Sequence, residues 1–233
     1  MTGCSRKRHI LFFLITVLLF FPITASAAAL VLLDPGHGGK DLGGEVTGSL
    51  HEKDLTLEIA QDIENALKNN KNIRILLTRS EDRDVSLATR LQITEKEKPD
   101  LLISLHVNAG FDRKASGFEV YYPGFGGLAE PSGDGKAIAK DMVKNKVLNE
   151  SNRFGRLVLK HLDPVFPRGN RNLRDAPMAV FKNPSTPVVL VEIGFATNPE
   201  DRKRLQDKNN PGMIAHALTS AIQEFFDGPG GKK

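Results

Sequence analysis

Short unbroken apolar runs alternate along this chain with longer segments whose apolar residues recur every three or four positions. Val31 to Leu33 is the first run, and a Pro35-Gly36 turn closes it. Ile73 to Thr78, Leu101 to Leu105 and the β-branched run Val188 to Val191 read as further strands, as does Gly117 to Tyr122, which Pro123-Gly124 closes. Between them, Leu55, Ile59, Ile63, Ala66 and Leu67 share one face of a helix. Leu87 to Glu97 predicts a second helix, and Lys136 to Leu148 and Phe154 to Leu162 predict two more. The last helix begins at Pro211 and carries Ile214, Leu218, Ile222 and Phe225 on one face. Ala179 to Lys182 reads as a short extra strand. This alternation predicts an α/β fold, with a mostly parallel mixed sheet of about six strands flanked by helices on both faces. A length of 233 residues suits a single domain with a substantial core.

The chain ends narrow the domain to residues 28–227. Arg6-Lys7-Arg8, the apolar run Ile10 to Phe21 and then Ala25-Ser26-Ala27 have the three parts of a secretory signal, so residues 1–27 are expected to be removed after Ala27. The apolar run is shorter than the roughly 20 residues that span a bilayer. Export follows, to the periplasm by preference or to the cell wall and medium. Residues 228–233 read as a disordered tail. Cys4 leaves with the signal, so the mature chain has neither disulfides nor thiol chemistry. Three of the 32 basic residues leave too, and the remainder nearly balances the 28 acidic ones. That balance, together with export, argues against nucleic acid as a partner.

Candidate chemistry sits where the strands end. His37 lies between Gly36 and Gly38-Gly39, glycines that remove side chains around the imidazole and would let a ligand approach. His106 follows the strand Leu101 to Leu105, and Glu192 follows Val188 to Val191. Open α/β sheets place ligands in the crevice at this strand edge, so the three groups can converge there. Two imidazoles, one carboxylate and a position left to water make an open zinc site, and Glu52, at the start of the first helix, is the natural third ligand. Ser49-x-x-Glu52 also fits a capping box in which Glu52 only satisfies a backbone amide.

Four segments in order, Asp34-Pro35-Gly36-His37-Gly38-Gly39, Glu52-Lys53-Asp54-Leu55, Ser104-Leu105-His106-Val107-Asn108-Ala109 and Val191-Glu192-Ile193-Gly194-Phe195 with Asn198-Pro199, give the chain from Leu30 to Phe226 its family likeness. It resembles the zinc-dependent N-acetylmuramoyl-L-alanine amidases, which cut bacterial cell wall. The resemblance implies one zinc ion held by His37, Glu52 and His106, Glu192 as catalytic carboxylate, peptidoglycan as substrate, and a monomer. The chemistry alone supports metal-assisted amide hydrolysis, which leaves another exported zinc amidase or peptidase open, or a silent wall-binding or regulatory module that keeps the fold.

Other polar residues have competing readings. His51 could replace His37 as ligand or point to solvent beside the helix start. His161 and His216 read as surface or packing residues. Arg79, Arg83 and Arg90 could bind carboxylates of a peptide stem, or pair with Glu81, Asp82 and Asp84; Asn108 could bond substrate or its own loop. In some relatives an extra helix covers the zinc cleft until an activator protein withdraws it. Here Phe125 to Arg174 would hold that lid, with Gly126, Gly127, Gly133 and Gly135 as hinges and Glu130 or Glu150 reaching the metal; an ordinary surface crossover is the alternative.

Overall fold

The apolar runs pair into one six-stranded sheet in the order β4-β1-β5-β8-β6-β7, seen in a computed structural model that describes residues 27–110, 113–124, 135–166, 170–177 and 185–228. Its strands are β1 (Ala29–Pro35), β4 (Ile73–Leu77), β5 (Leu101–Asn108), β6 (Phe118–Tyr122), β7 (Asn170–Asp175) and β8 (Val188–Phe195). Strands β4, β1, β5 and β8 run parallel; β6 lies antiparallel to β8 and carries β7 parallel to itself. A small antiparallel pair, β2 (Glu45–Thr47) and β3 (Leu50–His51), stands apart and was not foreseen from the sequence.

Period-two alternation along the strands splits the sheet into two unlike faces. Val31, Leu33, Leu101, Ile103, Leu105, Val189, Val191 and Ile193 face the large core, where α1 (Glu52–Leu67), α3 (Gly135–Leu162) and α5 (Asn210–Asp227) pack. The opposite face buries only a small cluster of Leu32, Leu102, Val188 and Leu190, against which Ile93 of α2 (Leu87–Glu97) packs. Continuing along that second face toward the strand ends, the same parity presents Asp34, Ser104, His106 and Glu192. Helices flank both faces, as expected, but unequally. The thinly covered face is the one that carries the polar residues.

Several local expectations change. On α1, Leu55, Ile59, Ile63 and Leu67 are buried, but Ala66 is exposed and Ala60 is buried instead. The two helices expected between residues 136 and 162 are one helix, α3. The polar stretch Asn149-Glu150-Ser151-Asn152 reads as a break, yet Ser151 is fully buried; its hydroxyl donates to Val147 O (2.8 Å) and accepts from Val188 N (2.9 Å). Polar residues here fasten the helix to β8. Glu150 bonds Arg153 (2.7 Å), whose guanidinium stacks on Phe225, so it stands on the α3–α5 side of the sheet and not at the metal. Glu130, Gly126, Gly127 and Gly133 lie outside the described residues, as do the extra strand at Ala179 to Lys182, the signal through residue 26 and the tail from 229. α4 (Pro199–Leu205) is a short helix the pattern did not reveal; Asn198 caps it, its Oδ1 accepting from Glu200 N (2.9 Å) and Asp201 N (3.2 Å). No described helix is long and apolar enough to cross a membrane.

Candidate metal centre

Beyond β1 the chain turns through Gly36 into His37, which adopts a left-handed backbone with φ 59°. A non-glycine residue in that region costs roughly 1–2 kcal/mol and persists only where neighbours over-determine it. Two buried arginines supply that constraint. Arg79, wholly inaccessible, donates to Pro35 O (3.1 Å), Gly36 O (2.8 Å) and Lys53 O (2.8 Å), tying the His37 loop to the first turn of α1. Arg90 donates to Pro35 O and His37 O (both 2.7 Å) and pairs with Asp34, which also accepts from Thr78 Oγ1 (2.7 Å) and Ser104 Oγ (3.0 Å). Among the described residues neither arginine makes an ion pair with Glu81, Asp82 or Asp84, although Arg79 also donates to the Glu81 carbonyl (3.4 Å); Arg83 donates to Thr78 O. Asp82 and Asp84 instead accept from Gly39 N and Lys40 N, clasping the far side of the loop.

Glu52 is the first residue of α1 and is 3 % exposed. The helix N-cap is His51, whose own amide donates to Asp54 Oδ2 (3.1 Å), so the capping box lies two residues beyond Ser49-x-x-Glu52 and leaves Glu52 free of capping. It also takes His51 out of the site. Glu52 Oε1 accepts from Val107 N (2.9 Å) and meets both His106 Nδ1 (2.9 Å) and His37 Nε2 (3.0 Å); Oε2 accepts from Gly44 N (2.8 Å). The two imidazoles stand edge to face at 5.2 Å. The donor atoms of His37, Glu52 and His106 all lie within 4.8 Å of one another, a group that could hold a metal ion. On its other side, His37 Nδ1 lies 2.9 Å from Asp41 Oδ2, near enough to pair electrostatically but without hydrogen-bond alignment.

Electrostatics follow from this crowding. Burial pushes Glu52 up, but hydrogen bonds from His106, His37 and Gly44 N outweigh it and hold the carboxyl well below the ordinary range. The same bond from Glu52 pushes His37 up to about 9 against the opposing effect of burial. In the metal-free protein this pair therefore carries a proton that a cation would displace.

Glu192 stands beside this group. On adjacent strands His106 pairs in register with Glu192, and Glu192 pairs with Glu119, so the three side chains form one row across β5, β8 and β6. Glu192 Oε2 is buried without a hydrogen-bond partner. Burial pushes Glu192 up to about 7; His106 and His37 oppose that shift, and Glu52 and Glu119 add to it. Glu119 was not foreseen. An acid at alternate position in Phe118-Glu119-Val120-Tyr121-Tyr122 was the available signal, because an inward charge in a strand must find partners. It is 4 % exposed and accepts from Asn108 Nδ2 (2.9 Å) and Tyr121 Oη (2.6 Å), so Asn108 bonds a carboxylate that lies across β8 from its own strand.

The glycines act differently from the sequence reading. Gly38 and Gly39 admit Arg79, the Arg83 carbonyl and Asp84, not a ligand. Close approach at the metal group falls to Gly36, where a Cβ would lie 2.5 Å from His106 Cε1, and to Gly43. At Gly43, with φ +66°, a Cβ would lie 2.7 Å from both Glu52 Oε2 and His37 Cδ2. Gly43→Ala is expected to lower stability by about 1–3 kcal/mol from the left-handed backbone and the collision together. Metal content should fall with it, whereas Gly48→Ala, with nothing within 4 Å, should change neither. Thermal melts and elemental analysis of both variants check this.

The family model for N-acetylmuramoyl-L-alanine amidase matches residues 31–224. Amidase AmiA of Escherichia coli strain K12 is 32% identical over 219 residues, covering 84% of this chain and 75% of that protein. Amidase AmiC of Escherichia coli O6:H1 is 28% identical over 218 residues, and there the chain spans only about half, 52%, of the relative's length. Among solved structures, an N-acetylmuramoyl-L-alanine amidase from Clostridium difficile 630 superposes with a TM-score of 0.72 at 27% identity, covering 88% of this chain and 100% of that one. A match over almost the whole folded region, on a chain whose four signature segments meet at one sheet edge, establishes that this protein belongs to the N-acetylmuramoyl-L-alanine amidase family.

Proposed function

We propose that this chain is an exported peptidoglycan hydrolase that cleaves the amide between N-acetylmuramic acid and the L-alanine of the stem peptide, with one zinc ion held by His37, Glu52 and His106. The residues fit the ion. Two imidazoles and a carboxylate are the donor set of open catalytic zinc sites, and among the described residues these three donors converge without a fourth. When bound there, zinc supplies Lewis acidity that acidifies a water and polarises the scissile carbonyl.

The chain's own residues do the rest. Glu52 keeps its charge at any working pH, and Asp41 faces the outer nitrogen of His37, the usual arrangement for orienting a ligating imidazole. Glu192 Oε2, unpartnered and adjacent in register to His106, is the proton acceptor as water attacks the amide carbon. Its conjugate acid then donates to the departing nitrogen, and a carboxyl lifted toward neutrality suits both directions of transfer. The unpartnered Glu192 oxygen beside the His-Glu-His group is the observation that carries this reading. The signal-like segment Arg6 to Ala27 supports action in the periplasm or at the cell wall.

Digestion of purified peptidoglycan with mass analysis of the soluble products is the direct test. Release of stem peptides with a free L-alanine amino terminus is the expected result. Fragments cut within the stem would make the chain a peptidase, and binding to wall without release would make it a silent module.

A further inference from the structure

Beside the hydrolytic row, the outermost strands β6 and β7 carry polar groups for which neither the metal nor the proton transfer has a use. Arg174 pairs in register with Tyr121, and Glu119 lies two residues before Tyr121 on the same face. Glu119 Oε2 is saturated by Asn108 and Tyr121, while its Oε1 stands 3.6 Å from Arg174 Nη1. That is a loose ion pair on one nitrogen of a five-donor fork. Among the described residues it is the only polar contact of Arg174, whose side chain is 50% exposed. The other nearby guanidiniums, Arg79 and Arg90, are buried and committed to the His37 loop.

We propose, resting on the amidase reading, that Arg174 is a specificity-determining anchor for a carboxylate of the stem peptide, the first one carried beyond the scissile amide. Three arguments support this. Arg174 is an exposed cation beside the hydrolytic row, whereas Arg79 and Arg90 are buried and committed, so a carboxylate docking here meets its guanidinium. The spacing suits it. One strand separation, about 5 Å, divides Glu119 from Glu192, so the guanidinium stands on the order of 8 Å from the hydrolytic carboxylate. Two extended residues of a stem span at most about 7 Å, which brings the second residue's free carboxylate to Arg174 while the amide lies at Glu192. Finally, Glu119 engages a single nitrogen of the fork, and among the described residues the other nitrogens have no polar partner, which suits bidentate recognition of a carboxylate.

The experiment compares two soluble disaccharide-peptides that differ only in the second stem residue, one with its carboxylate free and one with it amidated. The parent enzyme is expected to favour the acid about ten- to hundredfold in kcat/KM, mainly through KM, as for a charged hydrogen bond gained or lost. In Arg174→Gln that preference should collapse toward unity, and Arg174→Lys should keep part of it, since charge survives but the fork does not. A merely structural role would slow both substrates alike and leave the ratio intact. A parent that cuts both equally, or a ratio unchanged in Arg174→Gln, overturns the anchor while leaving the amidase reading standing. A zinc-loaded parent that cuts neither overturns both.

Discussion

Glu192→Gln is expected to lower kcat by about 10²–10⁴-fold while the protein keeps its zinc and its fold. The substitution preserves size and hydrogen-bonding shape but removes the group that accepts a proton. Nothing among the described residues can replace it: Glu52 is occupied by both imidazoles, and Glu119 by Asn108 and Tyr121. Single-turnover rates on stem-containing fragments, with zinc content measured on the same samples, check the prediction. A variant as fast as the parent would make Glu192 a structural residue and end the proposed mechanism.

The same substitution has a stability signature of opposite sign. With its carboxyl raised from 4.5 to about 7, Glu192 holds a proton in the folded metal-free protein at pH values where the unfolded chain has released it. Its contribution to stability is therefore fully present below about pH 4.5 and is lost as pH rises through about 7. Above that, the buried charge costs on the order of 3 kcal/mol, which glutamine avoids. Metal-free Glu192→Gln should thus melt above the parent at pH 8, with the gap closing toward pH 5. Equal gaps at both pH values would contradict the burial of an unpartnered carboxylate.

Loss of the metal is the second large effect. Stripping with a chelator should abolish hydrolysis and zinc should restore it; His37→Ala, Glu52→Gln and His106→Ala should each drop bound zinc well below one per chain. The activity loss should exceed the 10–100-fold typical of outer-sphere partners, because a direct ligand is removed. Affinity should also depend on pH. The proton that Glu52 holds on His37, up to about 9, must leave when the ion binds, so zinc should bind more weakly as pH falls and should release protons measurably in weakly buffered solution. Signs differ for the empty site: the His37 contribution to stability is present below its ordinary 6.5 and lost as pH rises through about 9, whereas that of Glu52 is present above its ordinary 4.5 and lost on acidification. Saturating zinc at about 1,000 times Kd should add about 4 kcal/mol to the parent and little to a ligand variant. Undiminished hydrolysis by thoroughly metal-free protein would remove the metal from the reaction.

The chain's one-dimensional pattern carried much of this. Apolar runs such as Val188 to Val191, short and β-branched, fit central strands, since burial on both faces needs no polar alternation, and their order with the helices implies the parallel sheet. His37, His106 and Glu192 were legible because each follows such a run, and strand ends on one side of a parallel sheet meet. Tertiary structure decided what contacts between distant segments decide. Glu52 could have been a capping residue until the helix register placed His51 at the cap. Arg79 and Arg90 could have bound stem carboxylates or paired with the neighbouring acids, but they hold the His37 loop through carbonyls more than twenty residues away, at Pro35, Gly36, His37 and Lys53. Glu119 and Arg174 gained meaning only when β6 turned antiparallel to β8, bringing an acid and a cation into the row beside Glu192. The physical reason is the same in each case: hydrophobic periodicity is a local signal that determines which elements form, whereas the partner of a buried charge is chosen by whichever strand or loop packs against it.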